Sequence, residues 1–285
     1  MKNALVAALV IGIAACSSPE DISERMRVTQ EAAPEGAGER AQEALDRRLA
    51  ADAKAFSFTQ SEGDGETGLR EFTYSWPRQV AAIPALNAAF EAEFKAAQAD
   101  QEADWSSALA DCPPDAVTCR NNYVSIEWQV VADTPRFLSL SSSVSTYTGG
   151  AHGNYGRGSS VWDREAGQRM KPLEFFTSTS ALEDALGKLA CDALNQERAK
   201  RRGGTVEVNP QDWSSACVPM DDTVLFLGSS TGKAFDRIGV YYGPYVAGPY
   251  AEGDFEFTLP VTPSVIEAVR PDYRGAFVLA SPKGA

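Results

Sequence analysis

His152 is the only histidine in a chain of 285 residues, so histidine-based acid–base catalysis has a single candidate. It lies in Thr146-Tyr147-Thr148-Gly149-Gly150-Ala151-His152-Gly153-Asn154-Tyr155-Gly156-Arg157-Gly158. With the hydroxyls of Tyr155 and Ser159 nearby in sequence, it could act as the general base of a hydrolase. The competing use is a structural hydrogen bond inside a glycine loop. Other chemistry is thin. No Gly-x-Ser-x-Gly elbow occurs, and no pair of acidic residues stands at a spacing that points to glycosidase geometry. Gly228-Ser229-Ser230-Thr231-Gly232-Lys233 is one residue short of a phosphate loop and lacks the Ser/Thr after lysine, so it reads as a hairpin turn. Neither cysteine pair has CxxC spacing and one histidine cannot complete a cluster, so no metal and no cofactor are expected. Tyrosines flanking a glycine-rich loop suit binding instead. Tyr147, Gly149, Gly150, His152, Gly153, Tyr155 and Arg157 are the candidate ligand contacts, with no catalytic set.

The elements that must hold this segment are strands. Phe137-Leu138-Ser139-Leu140-Ser141 onward alternates before it and Ser159-Ser160-Val161-Trp162-Asp163 follows it, so the segment reads as a hairpin with a long loop. Upstream, 55–59 and 70–76 alternate as strands, and Pro84 opens a helix with Leu86, Phe90, Phe94 and Ala97 on one face. Strands follow at 121–132 and 136–146, and Glu165-Ala166-Gly167 turns the next connection. A second helix is expected after Ser180, closed by a capping box with Glu183, with Leu182, Leu186, Leu189, Ala193 and Leu194 buried. Cys191 falls on its outer side. Arg198, Lys200, Arg201 and Arg202 stand at its end, where cations offset the helix dipole. Strands at 223–227, 237–242 and 255–260 and a helical turn at 264–268 complete the chain. The fold expected is α+β: antiparallel sheet(s) with two main helices packed on them, in two closely associated subdomains at 51–135 and 136–275.

Composition sets the compartment and the partners. Hydrophobic residues at 44% and charged residues at 23% are ordinary for a globular protein, and a net charge of −13 excludes nucleic acid and favours a cationic partner. Lys2 followed by an apolar run to Ala15 reads as an export signal over 1–15. Ile13-Ala14-Ala15-Cys16 resembles a lipobox, which makes Cys16 the lipidated first residue of the mature protein. Residues 16–50, poor in large apolar side chains, read as a tether with a helical end at 41–53. Ser17 and Ser18 resemble outer-membrane sorting residues, placing the protein in the envelope, held to the membrane by lipid alone and facing the periplasm. In that oxidising setting Cys112, Cys119, Cys191 and Cys217 allow three pairings, and proximity favours Cys112–Cys119 with Cys191–Cys217.

Tyr147-Thr148-Gly149-Gly150-Ala151-His152-Gly153, with Val161-Trp162-Asp163, Gly167 and Pro172-Leu173-Glu174-Phe175-Phe176, resembles the signature of the PdaC/RsiV-like extracellular domain. Ile83-Pro84-Ala85-Leu86-Asn87 is a weaker likeness, and Pro244-Tyr245-Val246-Ala247-Gly248-Pro249-Tyr250-Ala251-Glu252-Gly253 resembles the family's closing motif. The likeness spans about 55–270. It implies a non-catalytic envelope module whose ligand is lysozyme or a peptidoglycan fragment. Neither the metal-binding catalytic domain of the deacetylases nor the cytoplasmic domain of the anti-sigma factors is expected here, so the implied role is sequestration or inhibition.

Overall fold

Alternating side chains build the larger sheet. A computed structural model describes residue 48 and residues 50–281; the signal peptide, Cys16 and nearly all of the tether lie outside the described residues. Strands β1 (Phe56–Gly63), β2 (Leu69–Trp76), β3 (Asn122–Asp133), β4 (Phe137–Tyr147), β5 (Asn154–Asp163) and β6 (Gln168–Met170) form one sheet in that order. Neighbours are antiparallel except β2 and β3, which run parallel. The reason is the helix α1 (Pro84–Asp111) between them: its 28 residues carry the chain back along the sheet, the kind of crossover a parallel pair requires. Pro84 occupies its first turn, as expected. The 135/136 boundary falls at the β3–β4 turn, within this single sheet.

The two faces of the sheet bury different cores. Phe72, Tyr74, Trp76, Leu138, Leu140 and Trp162 point to one face and pack against Leu86 and Phe90 of α1, with Phe94 and Ala97 alongside. A bulge between Val130 and Ala132 shifts the register near the end of β3. On the other face, at this end of the sheet only, Ala132, Phe137 and Val161 join a second core with β7 (Val224–Gly228), β8 (Arg237–Tyr242) and β9 (Phe255–Pro260). These three strands form a separate antiparallel meander. Helix α2 spans 179–202 and α3 (Pro263–Ala268) packs beside it. The architecture is α+β, two sheets with two long helices.

Helix α2 departs from expectation at its start and its phase. Ser178, not Ser180, is the cap: its hydroxyl accepts the Ala181 amide at 3.0 Å. Glu183 closes no box and instead accepts the Met220 amide at 2.8 Å. Glu183–Gly187 is a π-helical turn, which inserts about one extra residue. Buried positions beyond it therefore move on by one: Ala190 and Leu194 are fully buried, while Leu189 is 39% exposed. The same rotation buries Cys191, which sequence periodicity had put on the outer side.

Candidate functional site

The glycine loop is shorter than its sequence looks. Asn154–Gly158 belongs to β5, so only 148–153 form the turn, and Tyr155 and Arg157 become strand residues on one face. Gly149 (φ +94°) and Gly150 (φ +95°) take the left-handed backbone. Gly149 also sits so close to the Cys112–Cys119 loop that a Cβ there would meet Cys119 Cα at 3.1 Å. Gly153 is required for another reason: a Cβ would lie 2.7 Å from Thr146 O across the hairpin. Tyr147 donates its hydroxyl to Gly150 O at 3.0 Å, which closes the turn.

Tertiary structure then lays Pro244–Gly253 against this loop. The Tyr250 hydroxyl donates to Gly153 O at 2.8 Å, and the Tyr250 ring stacks on His152 with centroids 3.9 Å apart. His152 Nδ1 is 2.8 Å from the same Gly153 carbonyl, so the ring carries its proton on that nitrogen. Tyr155 meets Tyr250 edge to face, and the Tyr245 ring lies tilted beside Tyr250, 5.4 Å between centroids. Tyr245 is 56% exposed and, at φ +68°, is the one non-glycine residue with positive φ among the described residues. A bulky side chain held there is strained, the kind of cost found at binding and switch sites. The result is an exposed aromatic surface made from two segments about a hundred residues apart.

The basic cluster of α2 anchors that surface. Arg198 is fully buried and donates Nε and Nη2 to Ala247 O, at 3.0 and 2.7 Å, and Nη1 to Ala216 O at 2.8 Å. Arg202 pairs with Glu252 at 2.7 Å and reaches Ser214 O. Arg201 donates to Glu252 O and lies 4.0 Å over the Phe255 ring. Lys200, Arg201 and Arg202 stand in the last turn, where their charge offsets the helix dipole, and the arginines are in addition fastened to loops, while Lys200 pairs with Glu197, one turn back. Both disulfides form as expected, Cys112–Cys119 behind Gly149 and Cys191–Cys217 beside the carbonyl that Arg198 holds.

Burial and a nearby carboxylate hold the phenols beside the site in their protonated form. Burial, then the Asp254 carboxylate and Tyr250, raises the Tyr155 phenol above its ordinary value. Burial and Asp254 do the same to Tyr241. Both stay protonated near neutral pH. Among the described residues no carboxylate or serine hydroxyl is hydrogen-bonded to His152, which spends Nδ1 on a main-chain carbonyl. Two clefts of about 290 Å³ open elsewhere, one beside Asp184 and Glu267 and one between Arg136 and Lys233; neither is lined by the glycine loop. Within the candidate set, Arg157 is held between the two sheets: it pairs with Glu256 at 3.2 Å, donates to Ser141 Oγ and lies over Phe226. Tyr245 and Tyr250 join that set. Their motif was visible in the sequence, but nothing in the sequence connects it to His152.

Comparison with known proteins agrees with this fold. Residues 64–155 match the family model described as Deacetylase PdaC, a match that ends at Tyr155. A crystal structure of a DUF3298 family protein from Pseudomonas aeruginosa PAO1 aligns over 79% of this chain and 97% of its own, with 17% identity and a TM-score of 0.51. One of a DUF3298 family member from Bacteroides fragilis aligns over the same shares at 17% identity and a TM-score of 0.48. No curated protein matches the sequence.

Proposed function

We propose that this chain, which carries a PdaC-type domain at residues 64–155 on a DUF3298-type fold, is a non-catalytic binding module of the cell envelope. Its ligand is a lysozyme-like cationic protein or a peptidoglycan fragment, taken up where the glycine loop meets Pro244–Gly253. One observation carries the reading: Tyr245, Tyr250, Tyr155 and His152 cluster on an exposed surface that disulfides, glycines and a buried arginine hold in place. Tyrosine offers large contact area with a polar tip at small entropic cost, which is why binding energy concentrates in such residues. A preformed surface also avoids the cost of ordering loops on association. The sole histidine is committed to stacking and to Gly153 O, which supports binding over turnover. A lipid on Cys16 holds the module at the outer membrane, facing the periplasm, where either ligand would be met.

The purified full-length chain, titrated with lysozyme and with soluble peptidoglycan fragments, should bind at least one of them. Tyr250→Ala should weaken that affinity by about 10-fold or more at an unchanged fold. Wild-type affinity in a folded Tyr250→Ala protein would remove this surface from the binding site. Peptidoglycan turnover that His152→Ala abolishes would replace the reading with a hydrolase.

A further inference from the structure

Beyond the aromatic surface lies a sheet face that neither core covers. Strand pairing sets three rows across β2, β3 and β4 on this face: Glu71–Tyr123–Tyr147, Thr73–Ser125–Ser145 and Ser75–Glu127–Ser143. Side chains in a row stand roughly 4.8 Å apart, and rows are about 7 Å apart along the strands. The second row continues into Tyr155 and the third into Arg157, so the face is contiguous with the aromatic surface at the glycine loop. Helix α1 packs on the opposite side of the sheet; on this side the meander covers the end carrying Ala132, Phe137 and Val161 and meets β5 at Arg157, and it is β2 and β3 that present the uncovered part. Glu71, Tyr123 and Glu127 are exposed.

The make-up of the face is unusual for an open sheet. Its three rows hold five hydroxyl-bearing Ser and Thr residues, two tyrosines and two glutamates, and no lysine or arginine. Tyrosine for rigid contact and serine for adaptable hydrogen bonds is the composition of surfaces that recognise proteins. Neither Glu71 nor Glu127 makes an ion pair among the described residues, and Arg157 at the border is already matched by Glu256. Uncompensated carboxylates can accept hydrogen bonds from glycan hydroxyls, but they repel a fragment that carries carboxylates of its own. They complement lysine and arginine, and the chain's charge of −13 acts in the same direction at long range.

We infer that the open face of β2, β3 and β4 is the docking surface for a basic protein, with Glu71 and Glu127 receiving its cationic side chains and Tyr123 and Tyr147 giving apolar contact. The inference rests on the binding role proposed above and chooses between its two ligands. The two glutamates stand in different rows and on adjacent strands, so they present two fixed acceptors rather than a diffuse negative field. That geometry separates specific docking from simple charge attraction.

The test uses the full-length chain with lysozyme as the basic probe and soluble peptidoglycan fragments in parallel. Glu71→Lys/Glu127→Lys is compared with Asp100→Lys/Glu102→Lys, which makes the same charge change on exposed positions of α1. Thermal melting confirms that each variant is folded. Expected is a loss of lysozyme affinity of about 10-fold or more for the sheet pair, and less than about threefold for the helix pair. Glu71→Gln/Glu127→Gln should fall between, and raising the salt should weaken wild type more than this neutral pair. Equal losses in the two lysine pairs would overturn the inference by reducing it to net charge. Binding of peptidoglycan fragments but not lysozyme would also overturn it, while leaving the proposed binding role standing. Binding of neither would remove both.

Discussion

At the residue scale, two glycines of the loop are required by different physics. Gly150 has open space around its missing Cβ, so only the left-handed backbone penalises a side chain there. Gly153 has an ordinary φ but no room, because Thr146 O faces it across the hairpin at 2.7 Å from a built Cβ. Gly150→Ala should therefore cost about 1 kcal/mol. Gly153→Ala should cost more, about 2 kcal/mol, as the hairpin must open to admit the methyl group. Urea denaturation of the two variants checks the ranking; a larger loss for Gly150→Ala would refute the account. Gly153 also has the greater effect on the site, since its carbonyl receives both the Tyr250 hydroxyl and His152.

At the scale of elements, α2 links the second core to the ligand surface. Its π turn brings Ala190, Leu194 and Arg198 to the inner side in succession, and Arg198 then replaces main-chain partners that two loops lack. Arg198→Ala would leave the buried Ala247 carbonyl unsatisfied and unfasten the Cys217 loop at Ala216. The expected cost is about 3 kcal/mol, with Arg198→Lys rescuing little because one ammonium cannot span both loops in the guanidinium's fixed fork geometry. Chemical denaturation measures the loss. The His152 ring resonances should shift as Tyr250 moves, a second readout that an effect confined to the helix would leave unchanged. The Leu189 position failed because a regular 3.6-residue period cannot register a π turn, whereas the Ser180 cap failed because Ser178, two residues earlier, takes the Ala181 amide and Glu183 is drawn away to the Met220 amide.

For the whole molecule, charge and acid stability go together. Burial would raise the Asp163 carboxyl, but the Arg136 guanidinium and the Ala166 and Glu165 amides outweigh it and hold the group below the usual carboxylate range. Asp236 is likewise held low against its burial, by Ser230 and Arg237. A carboxylate whose folded value is depressed stabilises the fold above its unfolded pKa, and that stability is lost as pH falls through the folded value. The melting temperature should thus drop as pH falls below about 4. Asp163→Asn should flatten that fall and cost about 2 kcal/mol at neutral pH, by loss of a charge-assisted hydrogen bond. An unchanged pH profile in Asp163→Asn would assign acid sensitivity to other groups.

Local pattern alone determined most of the strands, though not β6 or the first half of β5, the Pro84 helix with its Leu86 and Phe90 face and the turn at Gly167, and it favoured the two cysteine pairings that form. Each depends on period, on a residue's own backbone limits, or on short loop closure, all properties of neighbouring residues. The likeness of Tyr147–Gly153 and Pro244–Gly253 to one family was legible as well. What they do together was not. The His152–Tyr250 stack, the inward turn of Arg157, the burial of Arg198 and the parallel β2–β3 pair with its open face all arise between segments far apart in sequence. Such contacts form only when two cores settle on opposite faces of one sheet and bring distant loops to a common edge, so tertiary packing, rather than any local signal, decided where this protein presents its surface.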